Sequence, residues 1–339
     1  MSTEFQMPGV RSLAVDMRLD SVVAGLLFSI VAWHSPSASR GAASSASWIA
    51  ADQRSDLGPD SPLDKRVSET PPDVLKMFAE AGITETKNHA LTPEEQRQLT
   101  AAFDALPPLH RKILRERLRS LSFLDAMPNT ALASGVGPDN PQRLFHITIR
   151  AGIFRETVSE WATKKERTCF DAAGSPLSLS IDAGKLDAIA YVLLHEATHI
   201  VDSVLRITPE VPIKEAAAVE VVPTAFTKGI WSTIILPAPR YRDPLMQGTV
   251  FNDDGKVLPI AKAEALYTAM RRTPFATLYS SHAWTDDLAE YVAIYHWTQI
   301  LKQPYRITIR GGETEIFEYE PMKSSLVRER FSQMKIFYE

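Results

Sequence analysis

The stretch that most constrains the fold is Ile189-Ala190-Tyr191-Val192-Leu193-Leu194-His195-Glu196-Ala197-Thr198-His199-Ile200-Val201, an apolar run interrupted by a His-Glu-x-x-His pentad. From Leu186 to Val201 nearly every position outside the motif is apolar, which predicts a helix buried on most sides rather than a surface helix with one apolar stripe. The remaining chain must wrap around it. At 3.6 residues per turn, His195 and His199 point from one helical face, so both imidazoles can reach one cation with Glu196 beside them. Burying two histidines and a glutamate without partners costs several kcal/mol, and a metal ion removes that cost. The other reading of the same residues is a pair of core histidines hydrogen-bonded to their neighbours.

The pentad has the geometry of a zinc hydrolase. Neutral imidazoles bind Zn²⁺, a third ligand completes the protein's share, and the open fourth position holds a water whose pKa falls to roughly 7. One Zn²⁺ per chain is expected. Glu196 then takes the proton of the water and passes it to the leaving amine. Asp202, three residues past His199, lies close enough in sequence to orient a ligand imidazole; its alternative is a solvated acid at the helix end.

A chain of 339 residues with 45% hydrophobic composition can bury a large core in one large domain or two closely joined ones. A formal charge of −4 gives no basic field for nucleic acid, and the basic run Arg111 to Arg119 reads as a solvated helix face. The single cysteine, Cys169, excludes an internal disulfide framework and a thiolate zinc cluster, and reads as a buried thiol.

Near the N-terminus, Val22 to Trp33 is a 12-residue apolar stretch, preceded by Arg11 and Arg18 and followed by small residues from Ser35 to Ser47. It is too short for a membrane span of about 20 residues and suits a signal peptide. Initiation at Met17 would give the leader a more conventional shape. Residues 1–48 are therefore expected to be a signal peptide and the start of a linker, and 49–71 the rest of that flexible linker. The mature chain would be exported, periplasmic or secreted, with no stable membrane span. If the apolar run is not a signal, the chain is cytoplasmic.

Residues 72–142 are expected to form a helical part. It includes a helix from Pro72 to Ala81, a capped helix from Thr92 to Leu106, and a basic amphipathic helix from Pro107-Pro108 to about Leu121. A long loop is expected from Met127 to Gln142. Residues 143–339 form the expected catalytic domain, with strands over Leu144–Ile149 and Leu177–Ile181. The second of these is the expected edge along which an extended peptide adds as a strand. Further on, the pattern gives a helix over Lys214–Val222, a turn at Asn252-Asp253-Asp254-Gly255, a helix over Ile260–Arg272, a hairpin around Gly311-Gly312 and a final helix over Met322–Met334.

A third ligand is sought in Trp284-Thr285-Asp286-Asp287-Leu288-Ala289-Glu290-Tyr291. Thr285, Asp286 and Asp287 are good helix-start residues. Glu290 shares a face with Ala293, Ile294, Trp297 and Leu301, so a carboxylate falls on the apolar stripe, where a metal would pair it.

A His-Glu-x-x-His helix followed by a second helix with Ala289-Glu290-Tyr291 resembles the gluzincin zinc metallopeptidases, and its setting is most like the lethal-factor-type branch. The resemblance implies that His195, His199 and Glu290 are zinc ligands and Glu196 the catalytic base. Glu290 follows His199 by 91 residues, so residues 205–280 would be an insertion between the two helices. In the lethal-factor-type pattern a tyrosine seven positions before the ligand glutamate stabilises the oxyanion. Here position 283 is Ala, which leaves His282, Tyr279, Tyr291 or Tyr295 as donor, His282 being favoured. Glu220, 21 residues past His199, is the rival third ligand.

The expected fold is α+β, a mainly helical zincin-like metallopeptidase domain with a small antiparallel sheet beside the pentad helix. The expected function is zinc-dependent hydrolysis of a peptide or protein substrate. The alternatives are an exported scaffold or binding protein that keeps the fold without catalysis, and a zinc hydrolase of non-peptide amides.

Overall fold

The computed structural model describes residues 61–137, 140, 142–211, 221–249, 251 and 257–339. The expected leader, residues 49–60 of the expected linker, Glu220 with most of the helix expected around it, and the turn at Asn252–Gly255 lie outside the described residues. Residues 61–71, expected as flexible linker, are instead packed on the fold: Leu63–Lys65 form a 3₁₀ turn, the buried Arg66 donates to the backbone carbonyls of Leu114 and Arg115, and Val67 bridges Leu121.

Local signals set the first elements. Helix α1 (Pro72–Glu80) has proline in its first turn and ends ahead of Gly82, whose φ of +81° suits a residue without a side chain. Strand β1 (Lys87–Asn88) follows. Helix α2 (Pro93–Ala105) carries a complete capping box: Thr92 Oγ1 accepts from the Glu95 N–H at 3.3 Å, and the Glu95 carboxylate accepts from the Thr92 N–H at 2.8 Å. Helix α3 (Pro108–Arg117) starts at the proline pair and stops short of its expected end. From Leu118 the chain is extended as β2 (Leu118–Asp125). This strand is buried on both faces between β1 and a later strand, so its apolar residues do not alternate and imitate helical spacing.

The expected loop after Met127 contains β3 (Ala131–Gly135), which pairs antiparallel with β4 (Phe145–Arg150), Ala133 lying opposite Ile147. The sheet order is β1-β2-β4-β3, with β2 and β4 parallel. It is thus a mixed four-stranded sheet with β3 at one edge among the described residues, where a small antiparallel sheet was expected. Helix α4 (Val158–Arg167) follows behind a second capping box, Thr157 with Glu160. The short strands β5 (Phe170–Asp171) and β7 (Leu258–Pro259) pair in parallel. Strand β6 (Leu177–Asp182) joins β8 (Arg306–Gly311) and β9 (Thr314–Tyr319), the expected hairpin, in an antiparallel sheet.

Helix α5 (Ala188–Leu205) carries the pentad. It is apolar and long enough to cross a membrane, yet most of it is buried in the protein. It packs against α2, α3, α4, β3 and α8 (Trp284–Tyr295). β6 precedes α5 in sequence but lies in the three-stranded sheet, so the strand beside the pentad helix is β3 and not β6. Between α5 and α8 come α6 (Pro244–Gln247) and α7 (Ala263–Met270). The expected final helix is broken into a turn at Pro321–Lys323, α9 (Ser325–Arg328) and a tight 3₁₀ stretch, Phe331–Phe337. The fold is α+β.

A candidate metal centre

On α5, His195 and His199 project from one face, with their Nε2 atoms 3.2 Å apart. A flank of the same helix is anchored by Thr198, whose hydroxyl donates to Leu194 O at 2.7 Å and lies 3.0 Å from His110 Nε2 on α3. His110 is buried, its ring tilted against Phe337 near the chain's end. This contact fixes the helix about its axis and so aims the imidazole pair toward α8.

Helix α8 presents two carboxylates one turn apart on the facing side. Asp286 Oδ1 lies 3.9 Å from His195 Nε2 and 3.7 Å from His199 Nε2. Asp286 is 1% exposed, and neither of its buried carboxylate oxygens has a hydrogen-bond partner. Glu290, expected as the third ligand, meets His195 on the other ring nitrogen: its Oε1 is 3.1 Å from Nδ1. It also accepts from Tyr191 OH at 3.1 Å, from Lys165 Nζ at 3.4 Å and from Thr277. The structure therefore brings Asp286 to the two Nε2 atoms and sets Glu290 behind His195. The two roles are displaced by one helical turn.

The start of α8 is held from its other side. Asp287 receives both terminal nitrogens of Arg330, at 3.0 and 2.8 Å, and Trp231 Nε1 at 2.9 Å. The Arg330 guanidinium lies between the rings of Phe226 and Tyr291, 4.1 and 4.5 Å from their centres. Consecutive aspartates thus face opposite ways, one into the ion pair and one toward the histidines.

His195, His199 and Asp286 together could hold a metal ion. Ligand atoms about 2.1 Å from a tetrahedral ion stand about 3.4 Å from one another, and the three separations here, 3.2, 3.7 and 3.9 Å, bracket that value. The two partnerless oxygens of Asp286 are the orphaned group that a cation would satisfy. Charge in the cluster is sorted accordingly. Burial pushes the Asp286 carboxyl up to about 7, against the opposing pull of His195 and Lys165. Burial would raise Glu290 too, but Lys165 and His195 outweigh it and hold that carboxyl at about 2. Burial drives His199 well below the ordinary histidine value, whereas for His195 burial is overcome by Glu290 and the net shift is upward.

Glu196 is buried, which raises its pKa; the neighbouring His195 and the Ala133 backbone amide of β3 pull it back. The β3 edge of the sheet therefore abuts the expected base and gives it the Ala133 amide. His282 is turned away from the cluster: its Nδ1 is 3.1 Å from Leu278 O and its Nε2 2.9 Å from Thr249 O. Tyr279 lies nearer, its ring centre 6.1 Å from that of His195. Asp202 accepts from the Thr208 N–H at 2.7 Å and its hydroxyl at 2.5 Å, closing the C-terminus of α5 instead of orienting an imidazole. Cys169 is buried, and burial raises its thiol pKa, so it stands as a packed thiol.

Two residues of the site went unread in the sequence. Asp286 passed for a helix-start residue, although its place four positions before Glu290 puts both acids on one stripe. Lys165 lies in the polar last turn of α4, where nothing in the pattern distinguishes it from a solvated lysine. No protein-family model, curated protein or solved structure matches this chain.

Proposed function

We propose that this chain is a zinc-dependent peptidase of zincin-like fold, with His195, His199 and Asp286 as the ion's ligands and Glu196 as general base. The observation that carries the reading is the buried Asp286 carboxylate, without a hydrogen-bond partner, facing the paired imidazoles of a His-Glu-x-x-His helix. A zinc ion bound there supplies Lewis acidity toward water and a substrate carbonyl.

The chain's own residues supply the rest. Glu290 Oε1, 3.1 Å from His195 Nδ1 though not aligned for a hydrogen bond with it, puts negative charge beside that nitrogen and so favours a proton there, which leaves Nε2 for the ion. Glu196 accepts a proton from the attacking water and returns it to the leaving amine; burial raises its pKa above the ordinary carboxylate value, which strengthens it as a base. Apart from the Ala133 amide held by Glu196, the edge of β3 offers backbone groups on which an extended peptide can add as a further strand. Tyr279 stands seven positions before Asp286, the spacing that the lethal-factor-type pattern uses for its oxyanion tyrosine, and is the donor this reading assigns in place of His282. The apolar run Val22 to Trp33 supports the reading that the mature enzyme is exported.

Glu196→Gln tests the reading. The variant should retain about one zinc per chain while hydrolysis of a mixed peptide pool falls by about 10²-fold or more. A fully active Glu196→Gln chain would end the mechanism.

A further inference from the structure

The Glu290 carboxylate is buried and engaged on both oxygens: Oε1 stands 3.1 Å from His195 Nδ1 and 3.4 Å from Lys165 Nζ, and Oε2 accepts from Tyr191 OH at 3.1 Å. Its contact with His195 is one of charge, since Nδ1 has no aligned hydrogen-bond partner. The imidazole therefore does not hold the carboxylate in place. Tyr191 and Thr277 give it neutral hydrogen bonds, and Lys165 is the one lysine or arginine paired with it among the described residues. A buried carboxylate that loses its cation keeps its desolvation cost and loses the compensation.

Lys165 is itself seated. Its ammonium lies 3.5 Å from the centre of the Tyr279 ring, with the rings of Trp161 and Phe251 at 5.2 and 5.7 Å, and its side chain is 18% exposed. Aromatic faces attract an ammonium and narrow the positions open to it. The other acid beside it, Glu166, is engaged by Tyr267 OH at 2.5 Å, which leaves Glu290 as the lysine's partner. The space next to the pair has room for about one water, so nothing larger parts them. The Tyr279 ring in turn lies 6.1 Å, centre to centre, from that of His195. One cation thus touches both side chains that flank the His195 imidazole, and it comes from α4, a helix that carries no proposed ligand.

We propose that Lys165 is a positioning residue of the metal centre: by holding Glu290 against His195 Nδ1 it fixes that ring with Nε2 turned toward His199 and Asp286. The inference rests on the reading of His195 as a ligand of the ion. The lysine touches neither the ion nor the substrate, and its whole effect passes through Glu290.

The test is zinc affinity, read by competition with a chromophoric chelator, in the full chain unmodified, with Lys165→Met, with Glu290→Gln and with both. Lys165→Met should weaken zinc binding about tenfold, the low end of what a partner behind a ligand supplies. In the Glu290→Gln chain the same substitution should change nothing, because the carboxylate it acts through is gone. An unchanged affinity in Lys165→Met, or an equal loss in both backgrounds, overturns the proposal. Should Lys165→Met alone fail to fold, the double variant, in which no charge is left uncompensated, is compared with Glu290→Gln, and a further loss of affinity between those two overturns it. A second arm needs no metal: nitrogen NMR of the metal-free chain with isotope-labelled histidines, the His195 signals being assigned with His195→Gln. Those signals should move on Lys165→Met and stay nearly in place when the same substitution is made in the Glu290→Gln chain. No movement, or equal movement in both, removes the positioning role. A chain that takes up no zinc would sink the peptidase reading, and the metal-free arm would still decide whether Lys165 fixes the His195 ring.

Discussion

Asp286 and Glu290 are the same functional group one helical turn apart, and their neighbours drive them in opposite directions. Burial with no donor lifts the first to about 7, and a lysine with an imidazole drops the second to about 2. Such divergence agrees with the proposed roles, in which the undersatisfied acid is the one a cation completes and the satisfied acid the one that orients. Asp286→Asn should therefore weaken zinc binding by more than about 100-fold, and Glu290→Gln by about 10- to 100-fold, as read by competition with a chromophoric chelator. Equal losses would erase the distinction. The histidines and Glu196 were legible in the sequence because helical spacing alone puts them together. The choice between Asp286 and Glu290 was not, because it depends on the rotation of α8 and on Lys165, which comes from a helix far away in sequence.

Helix α8 owes that rotation to an element that does not touch the metal cluster. The Arg330–Asp287 pair is buried, hydrogen-bonded twice and completed by Trp231 and the Pro274 carbonyl. Removing one partner of such a pair leaves an uncompensated buried charge, at a cost of about 3 kcal/mol. Arg330→Met should lower the unfolding free energy by about that amount in urea titrations while leaving the slope unchanged. Elements with local signatures were legible in the same way as the pentad: the Thr92–Glu95 capping box, the Gly311-Gly312 hairpin and the apolar run of α5. β2 was hidden because a strand covered on both faces loses its alternation. β3 was hidden because Ala131, Ala133 and Gly135 are small and sit among turn residues; that smallness suits a strand packed directly on α5.

The whole molecule is wound around one buried helix, and its response to acid follows. His110, locked between Thr198 and Phe337, is pushed down by burial to about 3. A histidine whose folded pKa is depressed contributes stability above its unfolded value of 6.5, and that stability is lost as pH falls from there toward about 3. His110→Gln keeps a donor for Thr198 without a titrating ring. The stability advantage of the unmodified chain over this variant should therefore shrink by about 2 kcal/mol between pH 7 and pH 5, measured by urea unfolding. No change in the difference would mean that His110 is not the group that senses acid. The same winding also has a consequence in time. Arg330 fixes α8, and Phe337 backs His110 behind the pentad, so both the helix that offers Asp286 and the helix that offers the histidines are braced by residues near the chain's end. A ribosome finishes His195, His199 and Asp286 well before it reaches those braces. The growing polypeptide therefore carries the three proposed ligands well before Arg330 and Phe337, and the place proposed for an ion becomes rigid only after those braces have been made.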